Sequence, residues 1–143
     1  MMKTEKEYEA AKKQLAMLTE MYKSQVAGLK ARGLSDEQAT ESLSSSWTYA
    51  MQCKEELDLY ERLKKGDLPP VENFRNAGRF FIAARIARGM TQRQLAESLD
   101  VKESQVSRDE RNEYHGISLE KAERLAEILN VELKLGKKLA VAQ

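Results

Sequence analysis

The segment Gly66-Asp67-Leu68-Pro69-Pro70 limits the possible folds of this chain more than any other. Pro69 and Pro70 remove two backbone donors and push the preceding residues out of helical geometry, so no helix passes this point. A length of 143 residues allows one ordinary domain or two small ones. The breaker therefore predicts two parts, residues 1–68 and residues 69–143. With 33% charged and 41% hydrophobic residues, the chain reads as folded rather than disordered. Only 7 glycines and these 2 prolines interrupt a sequence rich in Glu, Lys, Ala and Leu, which predicts an all-α protein.

Several chemistries are excluded by residue count. Cys53 is the single cysteine and His115 the single histidine, too few for a Cys-based zinc site or a disulfide. No Gly-x-Ser-x-Gly elbow and no glycine-rich phosphate loop is present. No apolar run approaches the roughly 20 residues that a bilayer demands, and no leader precedes the first helix. The expectation is a cytoplasmic binding protein that needs no cofactor and no metal, and is not an enzyme. Net charge is +1, so bulk electrostatics do not identify a partner. Locally, Arg75, Arg79, Arg85, Arg88 and Arg93 face a single acid, Glu72, between residues 71 and 93.

In the first part, Tyr8, Ala11, Leu15, Leu18, Tyr22 and Leu29 recur at three- and four-residue steps, widened by Met21 and Val26. This is the apolar stripe of an amphipathic helix. Gly33 follows Lys30 and Arg32 as a helix-ending glycine. Ser35 and Gln38 form a capping box that opens a second helix, with Ala39, Leu43, Trp47, Ala50, Met51, Leu57, Tyr60 and Leu63 inward. Trp47 and Tyr60 read as core, and Cys53 as an inert buried thiol. A two-helix hairpin buries little surface alone, so it is expected to pack on a second copy or another protein, or on the second part.

After Val71 the rhythm shortens. Helices are predicted from Phe74 to Arg88, Gln92 to Leu99, Glu103 to Arg111 and after Ser118, with Leu119, Ala122, Leu125, Ala126 and Leu129 inward. Thr91 and Gln94 form another capping box. Val131 to Leu135 alternates and reads either as a short strand or as a helix end running into a tail at Lys137 and Lys138. Two helices flanking a three-residue turn, with Ala96 where they cross, make a helix-turn-helix. The stretch Thr91-Gln-Arg-Gln-Leu-Ala96, the spacing to Val106-Ser-Arg108 and the Glu110 that follows resemble the lambda-repressor-like (Cro/XRE) DNA-binding family. The resemblance covers about Phe74 to Val131 and implies a four- or five-helix DNA-binding domain after the hairpin.

That resemblance implies base reading by Glu103, Ser104, Gln105, Ser107 and Arg108. Arg108 is suited to guanine O6 and N7, and Gln105 to adenine. It implies phosphate contacts from Thr91, Gln92, Arg93, Lys102 and Arg111 at helix N-termini and flanks. It also implies a buried ion pair between Arg85 and Glu110. Asp100 stands where the family usually has glycine, and Asp109 where it often has an apolar residue. Glu103, Asp109, Glu110 and Glu113 also load the reading segment with acid. The solvated loop is the expected place of His115. The function implied is a sequence-specific, duplex-DNA-binding transcriptional regulator, a repressor acting as a homodimer. Two other readings remain open: an antitoxin whose hairpin holds its toxin, and a protein-interaction module that no longer binds DNA.

Overall fold

The computed structural model describes residues 1–134 and 136. It divides into two compact units, Met1–Asp67 and Leu68–Gln143. Every regular element among the described residues is a helix.

The first unit opens with α1 (Glu5–Ala31), about 40 Å long at 1.5 Å per residue. The Thr4 hydroxyl accepts from the Glu7 N–H, and Glu5 and Glu7 complement the helix dipole at this end. Gly33, at φ 97°, lets the chain turn after Lys30. The Ser35–Gln38 capping box then starts α2 (Asp36–Ser42), and α3 (Ser44–Lys64) follows after a break at Leu43.

That break corrects the expected single second helix. The Thr40 hydroxyl bonds back to Asp36 O at 2.9 Å and that of Ser42 to Gln38 O at 2.8 Å, while Ser44 to Ser46 follow directly. Such side chains compete for helical carbonyls and weaken the run. Helices α1 and α3 lie antiparallel, since Tyr8 stacks on Tyr60 at 5.1 Å and Tyr22 tilts on Trp47 at 4.8 Å. The core of the unit is Met2, Ala39, Ala50, Leu57, Tyr60 and Leu63. Trp47 is 41% exposed rather than core, because the Tyr22 ring covers only one side of it. Cys53 is half-buried, and its thiol donates to Ala11 O at 3.7 Å. Burial pushes the thiol pKa up, the direction of an unreactive cysteine.

The second unit contains α4 (Phe74–Ala87), α5 (Gln92–Leu99), α6 (Glu103–Arg111) and α7 (Leu119–Ile128). Its core joins Phe81, Ile82, Leu95, Val106, Leu125 and Leu129, at least one from each helix or its end. Asn73, Thr91 and Ser118 cap the starts of α4, α5 and α7 with their side chains. Leu119 is 82% exposed, not inward: it is the first residue of α7, before the apolar face turns to the core. After α7, Asn130 turns at φ 51°, and the Arg88 guanidinium donates to Leu129 O and Asn130 O at 3.0 and 3.1 Å. Residues 131–134 carry no regular structure. Leu135 and the tail reading at Lys137 and Lys138 lie outside the described residues.

Candidate nucleic-acid interface

The α5–α6 pair is held at three points. Asp100 takes the left-handed conformation, φ 57° and ψ 46°, that its short polar side chain tolerates. The Val101 N–H closes the turn onto Ala96 O at 3.0 Å. Ala96 itself is buried, which allows close approach of the two helices.

Beneath them, Glu110 on α6 is fully buried and Arg85 on α4 is 3% exposed. The guanidinium donates to both carboxylate oxygens, the Nη2–Oε2 bond being 2.7 Å. Its Nη1 donates to Met90 O at 2.8 Å, and the Gln92 amide adds a bond to Glu110 Oε2 at 2.7 Å. One carboxylate thus joins α4, the start of α5 and α6. Gln92, expected at a phosphate, is half-buried and spends one amide N–H on this framework.

The other expected contact residues separate into groups. Ser104, Arg108 and Arg111 are exposed at steps of four and three, so they share one face of α6, with Ser107 half-buried beside them. Lys102 precedes the helix and Glu103 opens it, both exposed. Thr91 uses its hydroxyl as the cap of α5, accepting from the Gln94 N–H at 3.1 Å. Arg93 is exposed and pairs with Glu97 at 3.2 Å, a contact that solvent weakens. Gln105 lies on the flank, half-buried, and donates its amide N–H to Asp109 Oδ1 at 2.9 Å.

Asp109 in turn accepts from Lys121 Nζ on α7 through its other oxygen. A carboxylate only accepts, so this contact fixes which end of the Gln105 amide points inward. The amide keeps its carbonyl oxygen and its second N–H for other partners, but the contact holds it against the flank of α6. The sequence had not indicated Lys121, whose effect depends on α7 returning beside α6.

The acid load of α6 and the loop after it is largely neutralised within the unit. Asp109 is held by Lys121, Glu110 by Arg85, and Glu113 by Arg79 at 2.9 Å. Glu103 makes no ion pair among the described residues. His115 is exposed and stands 3.8 Å from Glu113. The groups left facing outward along α6 are therefore the Arg108 and Arg111 guanidiniums, the hydroxyls of Ser104 and Ser107, and the Glu103 carboxylate at its start.

The loop after α6 is shaped by close packing. Glu113 and Tyr114 both have left-handed φ angles, 51° and 54°. A β-carbon added at Gly78 would fall 1.7 Å from Glu113 O, so α4 can pass here only with glycine. Tyr114 is buried edge-on to Phe81, and its hydroxyl has no hydrogen-bond partner among the described residues. Burial, then the Glu110 charge, push the phenol pKa above its ordinary range.

Among the described residues no helix is long and apolar enough to cross a membrane, and no cluster of His, Cys, Asp and Glu is arranged to hold a metal. No curated protein and no solved structure matches the chain. The helix-turn-helix family model matches residues 82–135, from within α4 to beyond α7 and less than half of the chain. Three-residue turn, left-handed Asp100, buried Ala96 and the Arg85–Glu110 anchor accord with that match, and residues 82–135 are a helix-turn-helix domain of the Cro/XRE type, the kind carried by DNA-binding regulators.

Proposed function

We propose that this chain is a sequence-specific transcriptional regulator of the cytoplasm that binds duplex DNA as a homodimer and represses by occupying a promoter. The observation that carries the reading is the outer face of α6. Ser104, Arg108 and Arg111 stand exposed on one side, while Asp109, Glu110 and Glu113 are tied down by cations of the same unit. A major groove about 12 Å wide admits such a helix. Arg108 is assigned to guanine O6 and N7, and Arg111, Lys102 and the start of α5 to phosphates. Homodimerisation would set two such helices about 34 Å apart, one turn of DNA.

Selection of bound fragments from sheared genomic DNA at two salt concentrations tests this, with Arg108→Ala in parallel. A two-fold symmetric site should be recovered, more weakly at high salt, and the variant should lose discrimination by about 1–3 kcal/mol at one position of each half-site. Recovery of nothing above background by folded protein would sink the proposal and favour a protein partner at the hairpin.

A further inference from the structure

Helix α1 has two faces fit for packing, and its own unit covers only one. Tyr8, Ala11, Leu15, Leu18, Tyr22, Val26 and Leu29 are half-buried, yet no residue of this 27-residue helix is fully buried. On another side, Ala10, Gln14, Met17, Met21, Ser24 and Gly28 follow one another at steps of four and three, the rhythm of a helix–helix seam. All six are exposed, Met17 by 58% and Met21 by 50%. A β-carbon added at Gly28 would meet nothing within 4 Å. Tyr49 of α3 extends the surface: its hydroxyl accepts from Gln14 Nε2 at 2.9 Å, and both line one shallow groove with Ala10 and Gln52.

We propose that this second face of α1 docks on the same face of a second copy, the two α1 helices running antiparallel about a two-fold axis. The proposal rests on the homodimer reading above and names its surface. Charge selects the occupant and the direction. When Met17 lies opposite Gln14 of the second copy, and Met21 opposite Ala10, the flanking Lys13 falls beside Glu20 of the second copy. The two-fold axis repeats that pair. Lys13 makes no ion pair among the described residues, and Glu20 has only an exposed contact to Lys23 at 3.5 Å. In a parallel pair the same flanking positions would set Lys13 against Leu18 and Glu20 against Gln25, with no attraction. A face that complements itself closes into a dimer and does not propagate. The small side chains at Ala10, Ser24 and Gly28 allow close approach, and the two methionines fill the centre of the seam.

The test is the association constant of the full chain by sedimentation equilibrium, with circular dichroism to confirm that each variant is helical. The wild type should be dimeric at micromolar concentration, and Met17→Lys/Met21→Lys monomeric. Lys13→Glu and Glu20→Lys should each weaken association, roughly three- to tenfold, and the double reversal should recover most of that loss. These two positions are exposed, so the charge exchange remains informative even if the methionine variant unfolds. A monomeric wild type, a dimer insensitive to the methionine changes, or a double reversal no better than the singles would each overturn the proposal. Fragment selection with the monomeric variant keeps this separate from DNA reading. Half-sites recovered by a monomer support the regulator reading whatever surface forms the dimer.

Discussion

Gly78 and Tyr114 show how much one atom can matter in this unit. Gly78→Ala would drive a methyl to 1.7 Å from the Glu113 carbonyl oxygen, a Cβ fixed by its own backbone against a backbone atom, so neither side yields by rotating. We expect a loss of about 3 kcal/mol or more in denaturant unfolding, near the upper end for single substitutions. Tyr114→Phe removes a buried hydroxyl with no partner and is expected to stabilise by about 1 kcal/mol. Because the Tyr114 pKa is raised on folding, its contribution is complete below the unfolded value, about 10, and is lost as pH rises beyond it. The phenylalanine variant should therefore lose less stability than the wild type between about pH 10 and 12. Base preference carries a third expectation: Asp109→Ala releases the Gln105 amide from the flank of α6, leaving it free to turn both groups to adenine. Site selection should then narrow toward adenine at that position, and Lys121→Met should shift it the same way to a smaller extent. An unchanged preference in both would remove Gln105 from the readers.

At the level of elements, Glu110 fastens three helices together. Glu110→Ala removes the carboxylate that balances the buried Arg85 charge and should cost about 3–5 kcal/mol, visible as a lowered melting point of the second unit. Helix identity and most boundaries were legible because their signals are local. Ser35, Thr91 and Ser118 cap where their spacing to Gln38, Gln94 and the apolar faces indicated. Met21, read as widening the stripe of α1 but 50% exposed, and Trp47 and Leu119 were misread for one reason: helical spacing shows that a residue lies near a face, but not how far the neighbouring element extends over it. The break at Leu43 was visible only as a crowd of serines and threonines whose back-bonding no periodicity records. On α6, sequence supplied candidate positions but not how their side chains are engaged in the folded unit. The engagement of Gln92 by Glu110 depends on a partner 18 residues away that it meets only in the folded unit, whereas Gln105 and Asp109, four apart on one helix, are a local pair that the spacing alone could have indicated.

For the molecule as a whole, the two units divide the work the proposal requires, self-association in Met1–Asp67 and DNA reading in Leu68–Gln143. Two reading helices joined through a dimer bind the second half-site as an intramolecular event. A chain carrying Met17→Lys/Met21→Lys should thus bind a complete two-fold site at least 10²-fold more weakly than the wild type, while its affinity for one half-site stays unchanged. Titration of both DNA lengths measures the two quantities side by side. Equal loss on both would mean that the substitutions had damaged the reading unit itself.

The placement of the Glu110 anchor also bears on how such a protein changes over generations. Arg85 and Gln92 both grip α6 from its inner edge through Glu110, while Ser104, Arg108 and Arg111 stand on the other side and make no side-chain bond to Glu110. Substitutions at the outer positions leave the scaffold intact. On the proposed reading, a lineage can exchange one target sequence for another by single steps there, without passing through an unfolded intermediate form.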